Sequence, residues 1–290
     1  MKSLEGTGVA LVTPFDEKGV IDFSALEKLL HHTAKGVDYY VVMGTTGESV
    51  TLSAEEKISV LEFVKGHNPK KLPIVYGIGG NNTQVVIDTI KKTPLKGVDA
   101  ILSVSPYYNK PSQEGIYQHF KTIAKSSPLP VILYNVPGRT GSNISASTTL
   151  RLSEITNIIG IKEASGSLEQ CMNIANKKPK AFMLISGDDL MTLALYAIGG
   201  VGVISVLANA YPEVFNRIKN HCRKNDFKKA FSEQFKFLEI NGPMYEEGNP
   251  VGVKLILNEM GICKSYCRLP LAPASQMLRK KVKELMRGIK

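Results

Sequence analysis

The stretch Asn157-Ile158-Ile159-Gly160-Ile161-Lys162-Glu163-Ala164-Ser165 places a lysine directly after a short apolar run of β-branched residues. Such a run, bounded by polar residues, predicts a buried strand with Lys162 at its end. Burial of an ammonium group favours the neutral amine, which forms Schiff bases with carbonyl substrates. Alternatively, the lysine stem lies on the core while its head reaches water. The strand alone favours this second interpretation, so the other strand ends must decide.

Eight short apolar runs recur along the chain, and each is followed by a segment with helical periodicity. Their starts are 20–35 residues apart, as expected for repeated units of one strand, one loop and one helix. Several runs are continuous rather than alternating, which is typical of strands covered on both faces. The runs cover residues 8–15, 39–44, 74–78, 100–106, 131–137, 158–164, 182–188 and 202–209. Eight such units predict an α/β fold, a (β/α)8 TIM barrel.

After about residue 225 the pattern becomes purely helical and predicts about three helices, at residues 227–240, 250–260 and 273–287. We therefore expect a catalytic barrel over residues 1–225 and a C-terminal helical region over residues 226–290. The segments between the strands contain helix start and stop signals. The capping-box serine is Ser53, further N-cap candidates are Ser24, Ser112, Ser145 and Ser167, and Gly36 and Gly97 stand where helices should end.

The composition limits the partners and the compartment. The net charge is +10, but the lysines are dispersed over predicted helix faces and only residues 279–283 are densely basic. We therefore expect no nucleic-acid partner, although the positive charge favours anionic substrates. The four cysteines form no CxxC pair and show no metal-ligand spacing with histidine, which fits reduced thiols in the cytoplasm. No apolar stretch has the length of a signal peptide or a membrane span, so no membrane association is expected.

Polar side chains collect at the predicted strand ends, which form the active-site face of such barrels. The second strand leads into Gly44-Thr45-Thr46-Gly47-Glu48, whose hydroxyl and backbone N–H groups can hold a carboxylate or form an ordinary capped turn. The fourth is followed by Tyr107 and Tyr108 between two prolines. A tyrosine there can donate a proton, line the rim of the site or contact another subunit.

The fifth strand contains Tyr134, one strand away from Lys162, and Arg139 follows it. The Arg139 guanidinium suits a substrate carboxylate, and the alternative is a surface ion pair. After the seventh strand, Gly187 leaves room for a small ligand. The next two residues, Asp188-Asp189, fit an acidic first helical turn better than a metal site because no histidine accompanies them. Together these groups indicate imine chemistry on a small oxo-acid without a metal.

Three motifs stand at these strand ends, namely Gly44-Thr45-Thr46-Gly47-Glu48-Ser49, Tyr134-Asn135-Val136-Pro137 and Gly160-Ile161-Lys162-Glu163. They resemble motifs of the class I pyruvate aldolases in the dihydrodipicolinate synthase/N-acetylneuraminate lyase superfamily. Two more, Tyr107-Tyr108-Asn109-Lys110-Pro111 and Arg139-Thr140-Gly141, are similar to its synthase branch. The resemblance extends from about residue 8 into the C-terminal helices.

The resemblance implies that Lys162 forms an imine with pyruvate, and that the derived enamine attacks the aldehyde of L-aspartate 4-semialdehyde. The product would be 4-hydroxy-tetrahydrodipicolinate, on the route to diaminopimelate and lysine, and no cofactor is implied. Tyr134, Thr45 and Tyr108 match a proton relay in which Tyr108 enters the site of a neighbouring subunit. The resemblance therefore implies a homo-oligomer, at least a dimer and by expectation a tetramer.

Four further positions match substrate-binding residues of the superfamily. Thr46, together with Thr45, would hold the pyruvate carboxylate, and Arg139 would receive the carboxylate of the semialdehyde. Gly187 and Ile204 would line the pyruvate pocket. These roles are implied by the resemblance, whereas the residues alone indicate only that Arg139 suits an acid and that Gly187 leaves space.

A regulatory pocket that binds lysine in some members is matched only in part. The matching residues are Ser49, Asn81 and Tyr107, a possible remnant of that pocket. Ala54, Lys57 and Val85 stand where lysine-inhibited members have two histidines and a glutamate. Without the glutamate, and with a cation at Lys57, a cationic amino acid should bind weakly, so we expect weak or absent inhibition by L-lysine.

Two rival functions remain open from the sequence. Another pyruvate aldolase, such as N-acetylneuraminate lyase or a 2-keto-3-deoxy sugar-acid aldolase, would share the chemistry at Lys162 and differ in the acceptor. Arg139 favours a short acidic acceptor over a polyol. A noncatalytic barrel that serves as a binding module would have lost the site residues, yet all of them are present.

Overall fold

The structure, a computed structural model, describes residues 3–289. Its eight strands are hydrogen-bonded in sequence order into one closed barrel. The pairs from the fourth to the eighth strand run parallel. The strands are β1 Gly6–Ala10, β2 Tyr39–Val42, β3 Ile74–Gly77, β4 Ala100–Val104, β5 Val131–Asn135, β6 Ile158–Glu163, β7 Met183–Ser186 and β8 Gly202–Ser205. The predicted TIM-barrel class is confirmed.

The predicted strands extend too far at their carboxyl ends, by between one and five residues. The largest difference is in β1, which ends at Ala10, whereas Phe15 pairs with Ile21 in an isolated antiparallel bridge. Apolar residues continue into the loops because these segments are themselves buried, and hydropathy alone does not mark the last paired residue. In β5 the apolar run continues to Pro137, which begins a helix instead.

Thirteen helices connect and follow the strands in the described residues. They are α1 Phe23–Thr33, α2 Ala54–Gly66, α3 Thr83–Lys92, α4 Gln113–Ser126, α5 Pro137–Thr140, α6 Ala146–Ser153, α7 Leu168–Lys177, α8 Thr192–Ala197, α9 Pro212–Arg223, α10 Phe227–Gln234, α11 Leu238–Glu246, α12 Val251–Glu259 and α13 Gln276–Leu285. The first of the three predicted C-terminal helices is divided into α10 and α11 by the 3-10 turn Phe235–Phe237. The boundary predicted between residues 225 and 226 stays a prediction. Within the part of the chain that the structure describes, no helix is long and apolar enough to span a membrane.

Most of the predicted helix caps are present in the structure. Four serines cap their helices as predicted, namely Ser53, Ser112, Ser145 and Ser167. The prediction that Ser24 caps a helix is wrong. Asp22 is the N-cap of α1, and its side chain accepts a hydrogen bond from the backbone N–H of Ala25. The prediction that a helix ends at Gly97 is also wrong, because α3 already ends at Lys92. The ring of Pro94 disfavours helical backbone at the residue before it. Gly36 follows α1 by three residues, and a Cβ there would lie 2.1 Å from the carbonyl oxygen of Pro212.

Two compact units make up the described chain. Pro73–Ile204 belongs to the first, together with the residues before Gly6. In this unit Leu133 of β5 and Ile161 of β6 pack in one apolar cluster with Ile174 of α7. Successive side chains of a strand point to opposite faces, so Tyr134 and Lys162 point away from the helices, into the barrel.

The second unit contains Gly6–Leu72 and the chain from Ser205 onward. Its helix α12 is buried on all sides, with seven of its nine residues inaccessible to solvent. A helix with an apolar surface all round is typical of a core position. Lys254 is the single ionisable residue among the seven, so its ammonium group needs a partner inside the unit.

We expect a buried histidine in the first unit to make stability sensitive to acid. His119 of α4 shares a hydrogen bond of 2.8 Å between its Nδ1 and Thr83 Oγ1, and burial lowers its pKa to about 4. In the unfolded chain the His119 side chain binds a proton near its ordinary pKa of about 6.5. The free energy of unfolding therefore decreases as the pH falls from about 6.5 to 4. We expect His119→Asn to reduce the loss of unfolding free energy between pH 7 and pH 5 by about 2 kcal/mol. Urea titrations at both pH values measure this difference, and an unchanged pH dependence would contradict it.

Candidate active site

The paired ends of β5 and β6 bring Lys162 and Tyr134 together. The two residues are directly opposite in the strand register, and Lys162 Nζ lies 4.3 Å from the centroid of the Tyr134 ring. Only 5% of Lys162 and 7% of Tyr134 are exposed. The alternative of an ammonium group extended into water does not fit a side chain this deeply buried. A buried amine next to a phenol is an arrangement that can form an imine and move a proton.

Gly187 and Ile204 lie beside this pair. Gly187 follows β7, and a Cβ on it would lie 3.1 Å from Lys162 Cε and 2.6 Å from the Cβ of Ala164. Any side chain at this position would therefore press on the lysine stem. Lys162 is opposite Ile185, and Ile185 is opposite Gly202. Ile204 is two residues beyond Gly202 and so shares the face of Lys162.

Arg139 is exposed on the short helix α5, two residues after Pro137. Among residues 3–289, its guanidinium has no hydrogen-bond or ion-pair partner. The alternative that Arg139 forms a surface ion pair is therefore wrong. An unpaired guanidinium retains all its donors for a carboxylate that arrives from solution.

The loop after β4 holds its two tyrosines differently. Asn81 Nδ2 donates to the carbonyl oxygen of Tyr107 at 3.2 Å, whereas Tyr108 is 89% exposed. The backbone of Tyr108 is in the left-handed region, with φ 74°, and the N–H of Asn109 donates to the carbonyl oxygen of Tyr107. A non-glycine residue in this region is strained and is retained where the surroundings or a function require it. An exposed ring of this kind does not pack on the buried Lys162 of its own chain.

The segment after β2, in the second unit, forms two consecutive 3-10 turns, Thr45–Gly47 and Ser49–Thr51. Thr46 Oγ1 accepts a hydrogen bond of 3.1 Å from Asn249 Nδ2, so its hydroxyl hydrogen is free to bind an acceptor. Thr45 is half-buried. Ser49, one of the predicted regulatory residues, begins the second turn. Asn249 is a contact that the sequence did not reveal.

Glu48 joins the two turns and belongs to a buried network that sequence reasoning missed. Its Oε1 accepts from Lys254 Nζ at 2.6 Å, and its Oε2 accepts from the backbone N–H of Arg268 at 2.9 Å. Lys254 also donates to the carbonyl oxygen of Tyr266 at 2.8 Å. The Arg268 guanidinium binds Glu56 and lowers the pKa of that carboxyl to about 2. Glu48 and Lys254 are 206 positions apart, so no local pattern links them.

A second missed carboxylate is Glu163, the residue after Lys162. It is 3% exposed, and its hydrogen-bond partners include the side chains of Asn135 and Gln170. Burial, and after it the charge of Glu163, raises the pKa of the Cys171 thiol to about 12. A carboxylate directly after Lys162 could have been noticed from the sequence. The orientation of the Glu163 side chain could not be predicted from the sequence.

The aspartates after β7 do not occupy a helical first turn as predicted. They precede α8, which has no acidic residue in its first turn, and Asp188 Oδ1 accepts instead from the backbone N–H of Leu190. The aspartate closes a local turn because its short side chain competes with the helix for backbone N–H groups. Within the described range, no three His, Cys, Asp or Glu side chains group so as to hold a metal ion.

Comparison with known proteins adds to this geometry. Residues 3–289 match the family model described as the dihydrodipicolinate synthetase family. A 4-hydroxy-tetrahydrodipicolinate synthase of Cytophaga hutchinsonii is 51% identical over 285 residues, which is 98% of this chain and 96% of that protein. The solved structure of a Bacillus anthracis dihydrodipicolinate synthase is 40% identical, with a TM-score of 0.95 and full coverage of both chains. That of the chloride-inhibited Acinetobacter baumannii dihydrodipicolinate synthase, complexed with pyruvate, is 38% identical, with a TM-score of 0.95 and 99% coverage of each chain.

Proposed function

The chain belongs to the dihydrodipicolinate synthetase family, and on that premise we propose that it condenses pyruvate with L-aspartate 4-semialdehyde through an imine on Lys162. The product is 4-hydroxy-tetrahydrodipicolinate, and the reaction is the first committed step of diaminopimelate and lysine biosynthesis. The observation that supports this function most strongly is the buried contact of Lys162 with Tyr134, 4.3 Å from nitrogen to ring centroid.

The reaction begins when the Lys162 amine attacks the ketone carbon of pyruvate and water leaves. Loss of a methyl proton from the resulting iminium gives an enamine, whose carbon attacks the aldehyde of the second substrate. The amine of the semialdehyde then attacks the imine carbon, closes the ring and releases Lys162. Tyr134, next to the reacting nitrogen, is the group that donates and accepts protons, and Thr45 and Tyr108 extend the relay. The imine itself is the electron sink for the carbanion.

The pyruvate carboxylate is assigned to Thr45 and Thr46. The 3-10 turn at Thr45–Gly47 presents both side chains after β2. Because Asn249 occupies an acceptor site of the Thr46 hydroxyl, the remaining hydrogen donates to an anion. Gly187 and Ile204 line the side of the pocket next to Lys162, where a Cβ at position 187 would lie 3.1 Å from Lys162 Cε.

Arg139 is assigned to the carboxylate of the semialdehyde, because its guanidinium has no partner among the described residues. We expect Arg139→Ala to lower kcat/KM for the semialdehyde by about 100-fold, the effect of one lost charge-assisted hydrogen-bonded pair. The pyruvate adduct on Lys162 should form as in the wild type. Arg151→Ala is the matched control, since Arg151 is also exposed in this unit but already pairs with Glu114. Loss of the pyruvate adduct in Arg139→Ala would show that Arg139 is structural.

Tyr108 acts in the site of a neighbouring subunit, so the active form is at least a dimer and by expectation a tetramer. Its support is the exposed ring on a strained backbone, which its own chain leaves uncovered. Mixing inactive Lys162→Met and Tyr108→Phe proteins tests this arrangement. A mixed dimer that exchanges tyrosines regains one intact site, whereas no gain of activity would oppose an exchange between subunits.

A coupled assay distinguishes this function from its rivals. We expect turnover of pyruvate with L-aspartate 4-semialdehyde and none with N-acetylneuraminate or 2-keto-3-deoxy sugar acids. Activity on the sugar acids alone would indicate another pyruvate aldolase. The absence of every activity, together with ligand binding, would indicate a noncatalytic module. The free cysteines support a cytoplasmic location for this reaction.

L-lysine is expected to inhibit the enzyme weakly or not at all. Lys57 of α2 adds a cation where a cationic ligand would need acidic partners, and Val85 of α3 supplies no carboxylate. A titration of the steady-state rate with L-lysine measures the effect. Half-inhibition below about 1 mM, equivalent to a site worth roughly 4 kcal/mol, would contradict the expectation.

A further inference from the structure

The residues that follow Tyr134 and Lys162 are paired across the same two strands. Asn135 is opposite Glu163 in the register, and both are buried. Because successive side chains alternate, Asn135 and Glu163 point away from the barrel interior, toward the helices. Whatever fixes this outer pair also fixes the backbone from which the inner pair extends.

The outer pair belongs to a closed ring of hydrogen bonds, here called the amide–carboxylate ring, formed by the side chains of Asn135, Glu163, Gln170 and Asn143. Asn135 Nδ2 donates to both carboxylate oxygens at 3.0 Å and to Asn143 Oδ1 at 2.7 Å. Gln170 Nε2 donates to Glu163 Oε2 at 2.9 Å, and Asn143 Nδ2 donates to Gln170 Oε1 at 2.7 Å. The ring therefore joins β5 and β6 to α7 and to the loop before α6.

The backbone sets the direction of each amide. The N–H of Ile144 donates to Asn135 Oδ1 at 2.9 Å, so the NH2 of Asn135 must face Glu163. The N–H of Ser165 donates to Glu163 Oε1 at 2.7 Å. Four hydrogen bonds thus converge on the carboxylate, from three neutral donor groups. A carboxylate accepts from all of them because it has no donor of its own, whereas a glutamine amide would turn an NH2 group toward other donors.

Burial of a carboxylate without a cation is costly, and proteins keep such a group where its hydrogen bonds are needed. We propose that Glu163 is a positioning residue for the condensation. Its carboxylate holds Asn135 and Gln170 in one arrangement, and through them the strand ends that carry Tyr134 and Lys162. This inference rests on the proposed function, because its effect is read in the chemistry of Lys162.

The test uses the rate of imine formation from pyruvate, measured per folded site by rapid quenching with borohydride and mass spectrometry. We expect Glu163→Gln to slow this rate by about 10–100-fold, because a small misplacement of the reacting groups has an effect of this size. The double variant Glu163→Gln/Gln170→Glu moves the carboxylate to position 170, where it accepts from Asn143 and from the new amide. Its rate should recover to within about fivefold of the wild type. Glu169→Gln is the matched control, because Glu169 is exposed and lies outside the ring.

A ring that stabilises the fold without positioning Lys162 gives a different result. Glu163→Gln would then lower the melting temperature while imine formation per folded site stayed within about twofold of the wild type. That result, or a double variant no faster than Glu163→Gln, overturns the proposal. If Glu163→Gln does not fold, Gln170→Met decides, because it removes one donor at similar size and should slow imine formation by about 3–10-fold. A wild-type protein without an adduct on Lys162 would instead refute the proposed function.

Discussion

Lys162→Arg is expected to lower kcat by about 1,000-fold or more, because the variant lacks the amine that forms the imine in the proposed mechanism. A guanidinium does not form a stable imine with a ketone, so no alternative covalent route is open to this variant. Pyruvate should still bind through its carboxylate, with no adduct after reduction. Steady-state turnover with both substrates measures the loss.

Lys178→Arg is the matched control for this variant. Lys178 is also partly buried in the same unit, where burial lowers its pKa, and its Nζ donates to the carbonyl oxygen of Phe182 at 2.8 Å. An arginine can make the same hydrogen bond, so activity should stay near that of the wild type. Turnover by Lys162→Arg at the level of this control would show that another residue is the nucleophile.

Lys254→Met is expected to lower the free energy of unfolding by about 3–5 kcal/mol. The substitution leaves the Glu48 carboxylate buried without its cation. The size of the side chain hardly changes, so the loss reports the charge rather than a cavity. Denaturant unfolding measures it. Because Glu48 joins the turns that bear Thr45 and Thr46, the pyruvate KM should rise as well.

Two further variants distinguish the effect of burying the Glu48–Lys254 pair from the effect of its charges. Lys281→Met breaks an exposed ion pair with Glu246 and should cost less than about 1 kcal/mol. The double variant Glu48→Gln/Lys254→Met removes both buried charges and should recover part of the stability lost in Lys254→Met. Equal losses in Lys254→Met and Lys281→Met would contradict the importance of burial.

Much of the fold could be predicted because its signals are local. Each strand begins within a short, mainly apolar segment, and Ser53 caps α2 through a residue three positions away. Where two local signals compete, the prediction failed. The sequence predicted a helix end at Gly97, but α3 already ends before Pro94. The end of a strand depends on whether its neighbour still offers hydrogen bonds, and this cannot be read from one segment.

The candidate site could be predicted where its residues stand at strand ends. The order of strands alone makes Tyr134 a neighbour of Lys162. The supporting networks could not be found in this way, because Glu48 and Lys254 meet only through the tertiary fold. The orientation of Glu163 depends on amides that no spacing rule connects.

Trapping of the imine tests the central claim most directly. The protein is incubated with pyruvate and borohydride, digested, and the modified peptide is sequenced by mass spectrometry. We predict a single adduct of about 72 Da, the mass of a reduced pyruvate imine, on Lys162. No adduct, or an adduct on another lysine, would contradict the assignment of Lys162 as the nucleophile.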